Sequence, residues 1–212
     1  NMGLTIALNK GRILDEAIPM LIRCKIVLTE DYKNSRKLIF ESIDGGHKII
    51  VVRSSDVPAY VENGIADIGI TGKDTILESD SQEGFYELLD LEIGVCRLSI
   101  AGLVGVEEPL YDLRVATKFA KIAKSFFEDA GRKVSVIKLS GALEIAPVLG
   151  LADVIVDIVE SGNTLKAHGL EAREKLYDIS YRLIVNRASM KTKYYEIQNL
   201  LGNLREIVGI SS

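Results

Sequence analysis

The sequence predicts an α/β fold in two lobes, with the chain crossing from the first lobe to the second and back. Three observations predict it. Short runs rich in Val and Ile alternate with helix-period segments, the order that builds largely parallel sheets. The alternation occurs once before residue 90 and again from residue 94 onward. "LLDLEIGV" (88–95) and "EKLYDISY" (174–181) read as extended crossings, with no low-complexity linker between the halves. The expected division is residues 1–92 plus 178–212 for the first lobe and 93–177 for the second, with the ligand cleft between them.

Taken in order, "LTIAL" (4–8) is a short apolar strand running through "NKGR" into a helix from Ile13 to about Arg23. "KLIFESI" (37–43) and "HKIIVVR" (47–53) are β-rich and joined by "DGG", a hairpin signal. "SSDVPAYVENG" (54–64) reads as a capping serine, a short helix and a glycine stop. "ADIGITG" (66–72) is a buried strand, and "KDTILES" starts another helix. In the second block, "GVCRLSIAGLV" (94–104) and "LRVATK" (113–118) are strands, followed by the helix "FAKIAKSFFEDAG". "KVSVIKLSG" (133–141) is a strand, "ALEIAPVLG" (142–150) a short helix and "ADVIVDIV" (152–159) a strand. An amphipathic helix is expected from about Leu165, β structure over 176–190, and a final helix over "KTKYYEIQNLLGNLREIVG". In that helix Tyr195, Leu200, Leu201, Leu204 and Val208 form an apolar stripe. Tyr194 and Tyr195 read as packing or interface residues.

Composition narrows the function classes. The 212 residues are 47% hydrophobic and 26% charged, enough for real cores. The net charge is -4, so no general basic field attracts nucleic acid or anionic lipid, and an anionic ligand must be held by local groups. Cys24 and Cys96 are too few for a disulfide scaffold and read as buried thiols. His47 and His168 lack metal-ligand spacing and read as surface residues. No leader opens the sequence and no apolar run reaches the length of a membrane span, so a cytoplasmic protein is expected.

One loop carries more chemistry than a turn requires. In "DIVESGNTLKAHGL" (157–170) an apolar strand stops at Asp157, and Glu160, Ser161, Gly162, Asn163 and Thr164 precede the next helix. Backbone N–H groups at such a helix start favour an anion such as phosphate. Gly162 allows close backbone approach, and Ser161 and Thr164 add hydroxyl donors. Asp157 and Glu160 suit ribose hydroxyls or a magnesium ion instead. A sugar phosphate satisfies both halves, and so, more simply, does a capped helix start with Ser161 or Asn163 as the cap.

Wider spacing favours the first reading. Glu144, Gly150, Ala152, Ile155, Asp157, Ser161, Gly162, Thr164 and Leu165 fall as they do in the ATP phosphoribosyltransferase signature. With "LNKGR" (8–12), "ADIGITGKD" (66–74), "GVCRL" (94–98) and "VATK" (115–118), the chain resembles that family over essentially its whole length. It departs at Glu92-Ile93, where the resemblance leads to Gly-Phe. The resemblance implies a fold like the type II periplasmic binding proteins. It implies attack of adenine N1 of ATP on C1′ of phosphoribosyl pyrophosphate, with magnesium neutralising the leaving pyrophosphate. It also implies a short form that self-associates and works with a separate regulatory subunit similar to a histidyl-tRNA synthetase.

Combining residue chemistry with the resemblance, Glu144 and Asp157 are the candidate catalytic residues, facing ribose hydroxyls or Mg2+. Glu160, Ser161, Gly162, Asn163 and Thr164 cradle the 5′-phosphate. Lys10 and Arg12 reach polyphosphate, and Thr117 and Lys118 help bind pyrophosphate. Arg53, Lys73, Asp74 and Arg97 either line the cleft or form structural ion pairs, and Glu144 alone would also pass as a surface carboxylate. Two rivals remain: a two-lobed small-molecule binding protein, and a salvage phosphoribosyltransferase, whose single-lobed design does not fit two alternating units.

Overall fold

The alternation of strand and helix builds two sheets, one in each of two units. The computed structural model describes residues 3–80 and 83–211. The first unit comprises Asn1–Gly94 and Ser180–Ser212, and the second Val95–Ile179.

In the first unit, β1 (Thr5–Asn9) leads into α1 (Arg12–Arg23), and β2 (Ile39–Glu41) and β3 (Lys48–Val52) form the expected hairpin. Then come α2 (Val57–Glu62), β4 (Ile68–Gly72), α3 (Lys73–Glu78) and β5 (Phe85–Asp90). The returning chain adds β11 (Tyr181–Asn186), α7 (Arg187–Thr192) and α8 (Tyr194–Ser211). The sheet order is β2-β3-β1-β4-β11-β5, with β3, β1 and β4 parallel. All five residues of β4 are buried, as a parallel strand covered on both faces requires. Ile13, Leu14, Ala17, Ile18 and Leu21 of α1 recur at helical spacing and pack into the same core.

In the second unit, β6 (Cys96–Leu103), β7 (Leu113–Thr117), α4 (Ala120–Asp129) and β8 (Val134–Lys138) are followed by α5 (Ile145–Val148). β9 (Val154–Val159), α6 (Asn163–Ala167) and β10 (Leu170–Ile179) complete it. The sheet order is β10-β6-β9-β7-β8, with β9, β7 and β8 parallel. Reading β8-β7-β9-β6-β10 against β3-β1-β4-β11-β5 shows one arrangement used twice. In the first unit the fourth strand of that series, β11, comes from the chain after its return.

Several local expectations are corrected. The amphipathic helix from Leu165 is only the five residues of α6, after which β10 pairs antiparallel with β6. Residues 171–175 carry charges at helix-like spacing, but β10 is a sheet edge, where charged side chains are well tolerated. Residues 187–190 are helical rather than β, because the Asn186 side chain caps α7 by accepting from the Ser189 N–H at 2.9 Å. No serine side chain caps α2; residues 54–56 instead form a 3-10 turn ahead of it. Tyr195 leaves the stripe of α8 and is 84% exposed, while Ile197, Leu200, Leu201, Leu204 and Ile207 are buried. His47 is not a surface residue: it is half-buried and its Nδ1 accepts from the Leu4 N–H at 2.9 Å. Burial pushes the Cys24 thiol up to about 11, whereas Cys96 is only half-buried. Glu92, where the resemblance leads to glycine, sits in the left-handed region at φ 54, with its N–H held by Asp90 Oδ1 at 2.9 Å. That backbone conformation explains why glycine suits the position.

The first unit is built from two separated stretches of chain, and Asp67 joins them. Its carboxylate is 6% exposed and accepts from the Thr5 N–H at 2.9 Å, Ser189 Oγ at 2.7 Å and Lys193 Nζ at 2.9 Å. Asp67→Ala should therefore cost about 2–4 kcal/mol, since it leaves the Thr5 N–H and the buried Ser189 hydroxyl without their acceptor and takes one of two partners from the half-buried Lys193 ammonium. Urea unfolding tests this, and a loss no larger than that of an exposed Asp→Ala control would remove Asp67 from its joining role.

Candidate functional site

In each sheet the strand order reverses beside a central parallel strand: β1 lies between β3 and β4, and β7 between β8 and β9. At such a point the loops leaving the carboxyl ends of adjacent strands diverge to opposite faces and leave a crevice. Most of the residues singled out from the sequence fall at these two carboxyl edges.

In the second unit, Glu144, Asp157 and residues 158–165 line a cavity of about 280 Å³. β9 brings Asp157 there because Ile155, Asp157 and Val159 alternate onto one face, with Ile155 and Val159 in the core beneath α5 and α6. Gly162 makes the turn at φ 78 and ψ 2, and a Cβ placed on it would meet nothing within 4 Å. The backbone there is both left-handed and open to a ligand. The capped-start alternative is not what forms: no side chain caps α6, and the contact from the Asn163 N–H to Ser161 Oγ is long, at 3.4 Å. The Asn163 N–H is thus only weakly engaged by the Ser161 hydroxyl. Glu160, Ser161, Asn163 and Thr164 are exposed around it.

Glu144 is half-buried and follows a backbone position, Ala142, held in the left-handed region at φ 51. Burial pushes the Asp157 carboxyl above the ordinary carboxylate range, and the neighbouring charge of Glu144 pushes the same way. The Ile158 N–H, donated to Asp157 Oδ1 at 2.8 Å, and the charge of Lys118 oppose the shift. Lys118 is exposed just beyond β7, and Arg97 is exposed on β6 opposite Val159, at the same edge as the loop. Thr117 is different. It is buried, its hydroxyl donates to the Val156 carbonyl at 2.8 Å and accepts from the Phe119 N–H at 2.9 Å, so that side chain ties β7 to β9.

One residue was not singled out from the sequence. Ser99 pairs with Asp157 across β6 and β9, is 1% exposed, and its hydroxyl has no hydrogen-bond partner. A buried hydroxyl left unpaired costs about 1–3 kcal/mol. The available signal was a lone polar residue inside the apolar run "LSIAGL".

In the first unit, Lys10 and Arg53 line one cavity of about 660 Å³ together with Asn9, Ser54, Ser55 and Tyr60. The parallel pairing of β1 with β3, ending at Asn9 and Val52, sets the two cations side by side. Arg12 opens α1 and forms an exposed ion pair with Glu16 at 3.6 Å. Lys73 is ion-paired here: its Nζ lies 2.8 Å from Glu87, which also holds Arg182 at 3.3 Å. Asp74 folds back over Gly72, and burial pushes its carboxyl up while the Thr75 N–H opposes this. Buried Asn9 Oδ1 and Thr71 Oγ1, at the ends of β1 and β4, have no partner.

Among the described residues no three or more His, Cys, Asp or Glu side chains are grouped to hold a metal ion; Glu144 and Asp157 offer a pair. No helix among the described residues is long and apolar enough to cross a membrane.

Comparison with known proteins adds the following. Residues 53–206 match the family described as ATP phosphoribosyltransferase. An ATP phosphoribosyltransferase of Marinomonas sp. (strain MWYL1) is 54% identical over 205 residues, which cover 97% of this chain and 95% of that protein. One from Pseudomonas putida (strain GB-1) is 51% identical, with 97% of each chain covered. Among solved structures, the ATP phosphoribosyl transferase (HisG:HisZ) complex from Thermotoga maritima aligns at a TM-score of 0.84 and 31% identity, covering 97% of this chain and 98% of that one. The periplasmic aliphatic sulphonate binding protein SsuA from Escherichia coli aligns at 0.63 with 13% identity, covering 100% of this chain and 70% of that one, a likeness of fold alone. The expected periplasmic-binding-protein type II-like architecture is thereby borne out.

The raised carboxyl of Asp157 makes a pH-dependent prediction. An acid harder to ionise when folded gives stability that is full below its unfolded pKa and is lost as the pH rises toward the folded one. Asp157→Asn should thus match the parent protein in acid and become the more stable of the two as the pH rises above the ordinary value of 3.8. Thermal unfolding across that window checks it; a difference that does not vary with pH would show that burial does not oppose the charge.

Proposed function

The chain belongs to the ATP phosphoribosyltransferase family, and from that premise we propose that the Glu144–Asp157 edge of the second unit handles the ribosyl group. The family's reaction transfers phosphoribosyl from phosphoribosyl pyrophosphate to adenine N1 of ATP and opens histidine biosynthesis. The N1 lone pair forms the bond to C1′ as the C1′–O bond breaks, and that electron pair departs with pyrophosphate. Because N1 is already nucleophilic, the protein's task is to position the partners and stabilise separating charge.

The observation that carries the proposal is the joint lining of one small cavity by two carboxylates and an open left-handed glycine turn. Residues 160–164 hold the 5′-phosphate with turn N–H groups and the Ser161 and Thr164 hydroxyls. Asp157 and Glu144 accept from ribose hydroxyls, and their negative charge favours the oxocarbenium-like sugar. Lys118 and Arg97 stand at the same edge to meet pyrophosphate, with Thr117 contributing through strand position rather than its hydroxyl. Lys10 and Arg53 suit the polyphosphate of ATP. Arg12, Lys73 and Asp74 are assigned to the same strand-end surface of the first unit, with Lys73 exchanging Glu87 for a ligand.

Magnesium enters this reading with the substrate. The carboxylate pair is too small a set for a protein cage, so Mg2+ is expected on the pyrophosphate with Asp157 as the contact. When bound, it neutralises charge on the leaving group. We place the protein in the cytoplasm, where ATP and phosphoribosyl pyrophosphate are available. The Thermotoga maritima relative was solved as a HisG:HisZ complex, which supports a separate regulatory subunit for this chain as well.

Glu144→Gln and Asp157→Asn should each lower kcat/KM for phosphoribosyl pyrophosphate by about 10²–10³-fold with little loss of folding. Loss of melting temperature in proportion to activity would point to structural roles instead. Gly162→Val forces a β-branched residue into a left-handed position, a strain of about 1–2 kcal/mol, and should abolish phosphoribosyl pyrophosphate binding in calorimetry. A folded variant that binds normally would remove the loop from the site. The chain alone is expected to self-associate, turn over slowly and ignore histidine, and the regulatory subunit should raise turnover and confer histidine inhibition. Tight histidine binding to the chain by itself would overturn the two-subunit reading.

A further inference from the structure

We propose that Ser99 is a positioning residue for Asp157, its hydroxyl donating to the carboxylate oxygen that Ile158 leaves free when the carboxylate turns to a ribosyl substrate. The proposal rests on the reading of Asp157 given above. Ser99 and Asp157 are directly opposed on antiparallel β6 and β9, so both side chains leave the sheet on one face. Opposed Cβ atoms lie about 4.5–5.5 Å apart, which brings a serine hydroxyl within reach of a carboxylate after a rotamer change. Ser99 is 1% exposed and its hydroxyl is unpartnered, while Asp157 Oδ1 already takes the Ile158 N–H at 2.8 Å. One oxygen of Asp157 is therefore left for a second donor, and a buried donor sits across the strand pair from it.

The other groups around Asp157 cannot fill this role. Glu144, from the start of α5, is a like charge, and Lys118 beyond β7 is an exposed cation acting over distance. Arg97 lies one alternation along β6 at the rim, and Glu160 belongs to the exposed loop. Lys175, paired with Ser99 on β10, is held by Asp178 at 2.9 Å. Ser99 alone is neutral, buried and fixed to a strand. A neutral donor beneath the carboxylate sets its tilt without competing with Glu144 or with a bound cation for charge.

The proposal separates function from stability. A purely structural serine would lose stability on truncation, whereas Ser99→Ala removes an unpaired buried hydroxyl and should leave the melting temperature unchanged or raised. Its effect should appear in kcat for phosphoribosyl transfer, with KM for ATP unchanged. The fall in kcat should be about 10–100-fold, the worth of one hydrogen bond to a charged group. Ser99→Thr, which keeps the hydroxyl, should restore kcat, and Ser99→Ala should add nothing in an Asp157→Asn background. An unchanged kcat in folded Ser99→Ala would overturn the proposal, as would a fall in melting temperature with kcat unchanged. If Asp157→Asn loses activity while Ser99→Ala behaves as the parent protein, the Ser99 proposal fails and the Asp157 assignment stands. Full activity of Asp157→Asn would bring down both.

Discussion

The buried carboxylate of Asp67 is the contact on which the first unit depends. That unit is closed by chain that leaves at Gly94 and returns at Ser180, so its sheet is complete only when β11 enters between β4 and β5. Hydrophobic burial supplies the driving force, but β4 is buried on both faces, so its apolar pattern alone does not set its register. Asp67 supplies register: it stands just before β4, holds the backbone at the start of β1, and meets Ser189 and Lys193 from the returning helices. The Asn186 N–H also donates to the Asp67 carbonyl at 2.9 Å. Side chain and backbone of one residue thus fix the first strand, the fourth and the last together. A carboxylate so enclosed is tolerable only because Lys193 and two further donors satisfy it.

With the central strands fixed, the chemistry follows from direction. β1, β3 and β4 are parallel, so Asn9, Arg53 and Lys73 emerge at one edge of the first sheet. β7 and β9 do the same for Lys118 and the residues after Val159. Neither edge needs a long loop to gather polar groups, because the sheet order reverses there and adjacent loops part. The second unit adds a local electrostatic device. Two carboxylates face one cavity, and burial and mutual repulsion keep Asp157 harder to ionise than an isolated side chain. Hydroxyl donors or positive charge placed beside that pair would relieve the strain.

Much of this was legible in the sequence because the signals were local and redundant. The strands of both units declare themselves by dense Val and Ile bounded by glycine, and Asp157 with Gly162 by lying where an apolar strand meets a small polar loop. What was not legible depended on partners distant in sequence. Residues 170–179 carry charges at helical spacing and become a strand only because β6 offers an unpaired edge. Thr117 read as a ligand contact, yet its hydroxyl is consumed by Val156, 39 residues away. The ion pair of Lys73 with Glu87, 14 residues on, has no sequence signal either. Ser99 was invisible for the opposite reason: its meaning lies in the lack of a partner, which no sequence pattern records. Glu92 shows the same limit, since its left-handed backbone was implied by the family's glycine and not by the residue present.

The two edges of the second sheet differ in a way that composition alone would not suggest. At the amino ends of β7 and β9, Arg114 and Asp153 satisfy each other: the guanidinium reaches Asp153 at 3.1 Å and the Gly150 carbonyl at 2.9 Å, and the Arg114 N–H meets the same carboxylate at 2.9 Å. That carboxyl, held by an arginine, is easier to ionise than usual despite its partial burial. At the carboxyl ends the balance is reversed. Ala142 sits in the left-handed region, Asp157 resists ionisation, and the Ser99 hydroxyl is unpaired. Each of these lowers stability, and each would be removed by a simple substitution. A sheet optimised only for folding would carry them at neither edge. Their concentration where the Gly162 turn and the carboxylate pair meet is what a site held ready for a ligand requires, with the well-paired amino edge supplying the stability that the carboxyl edge gives up.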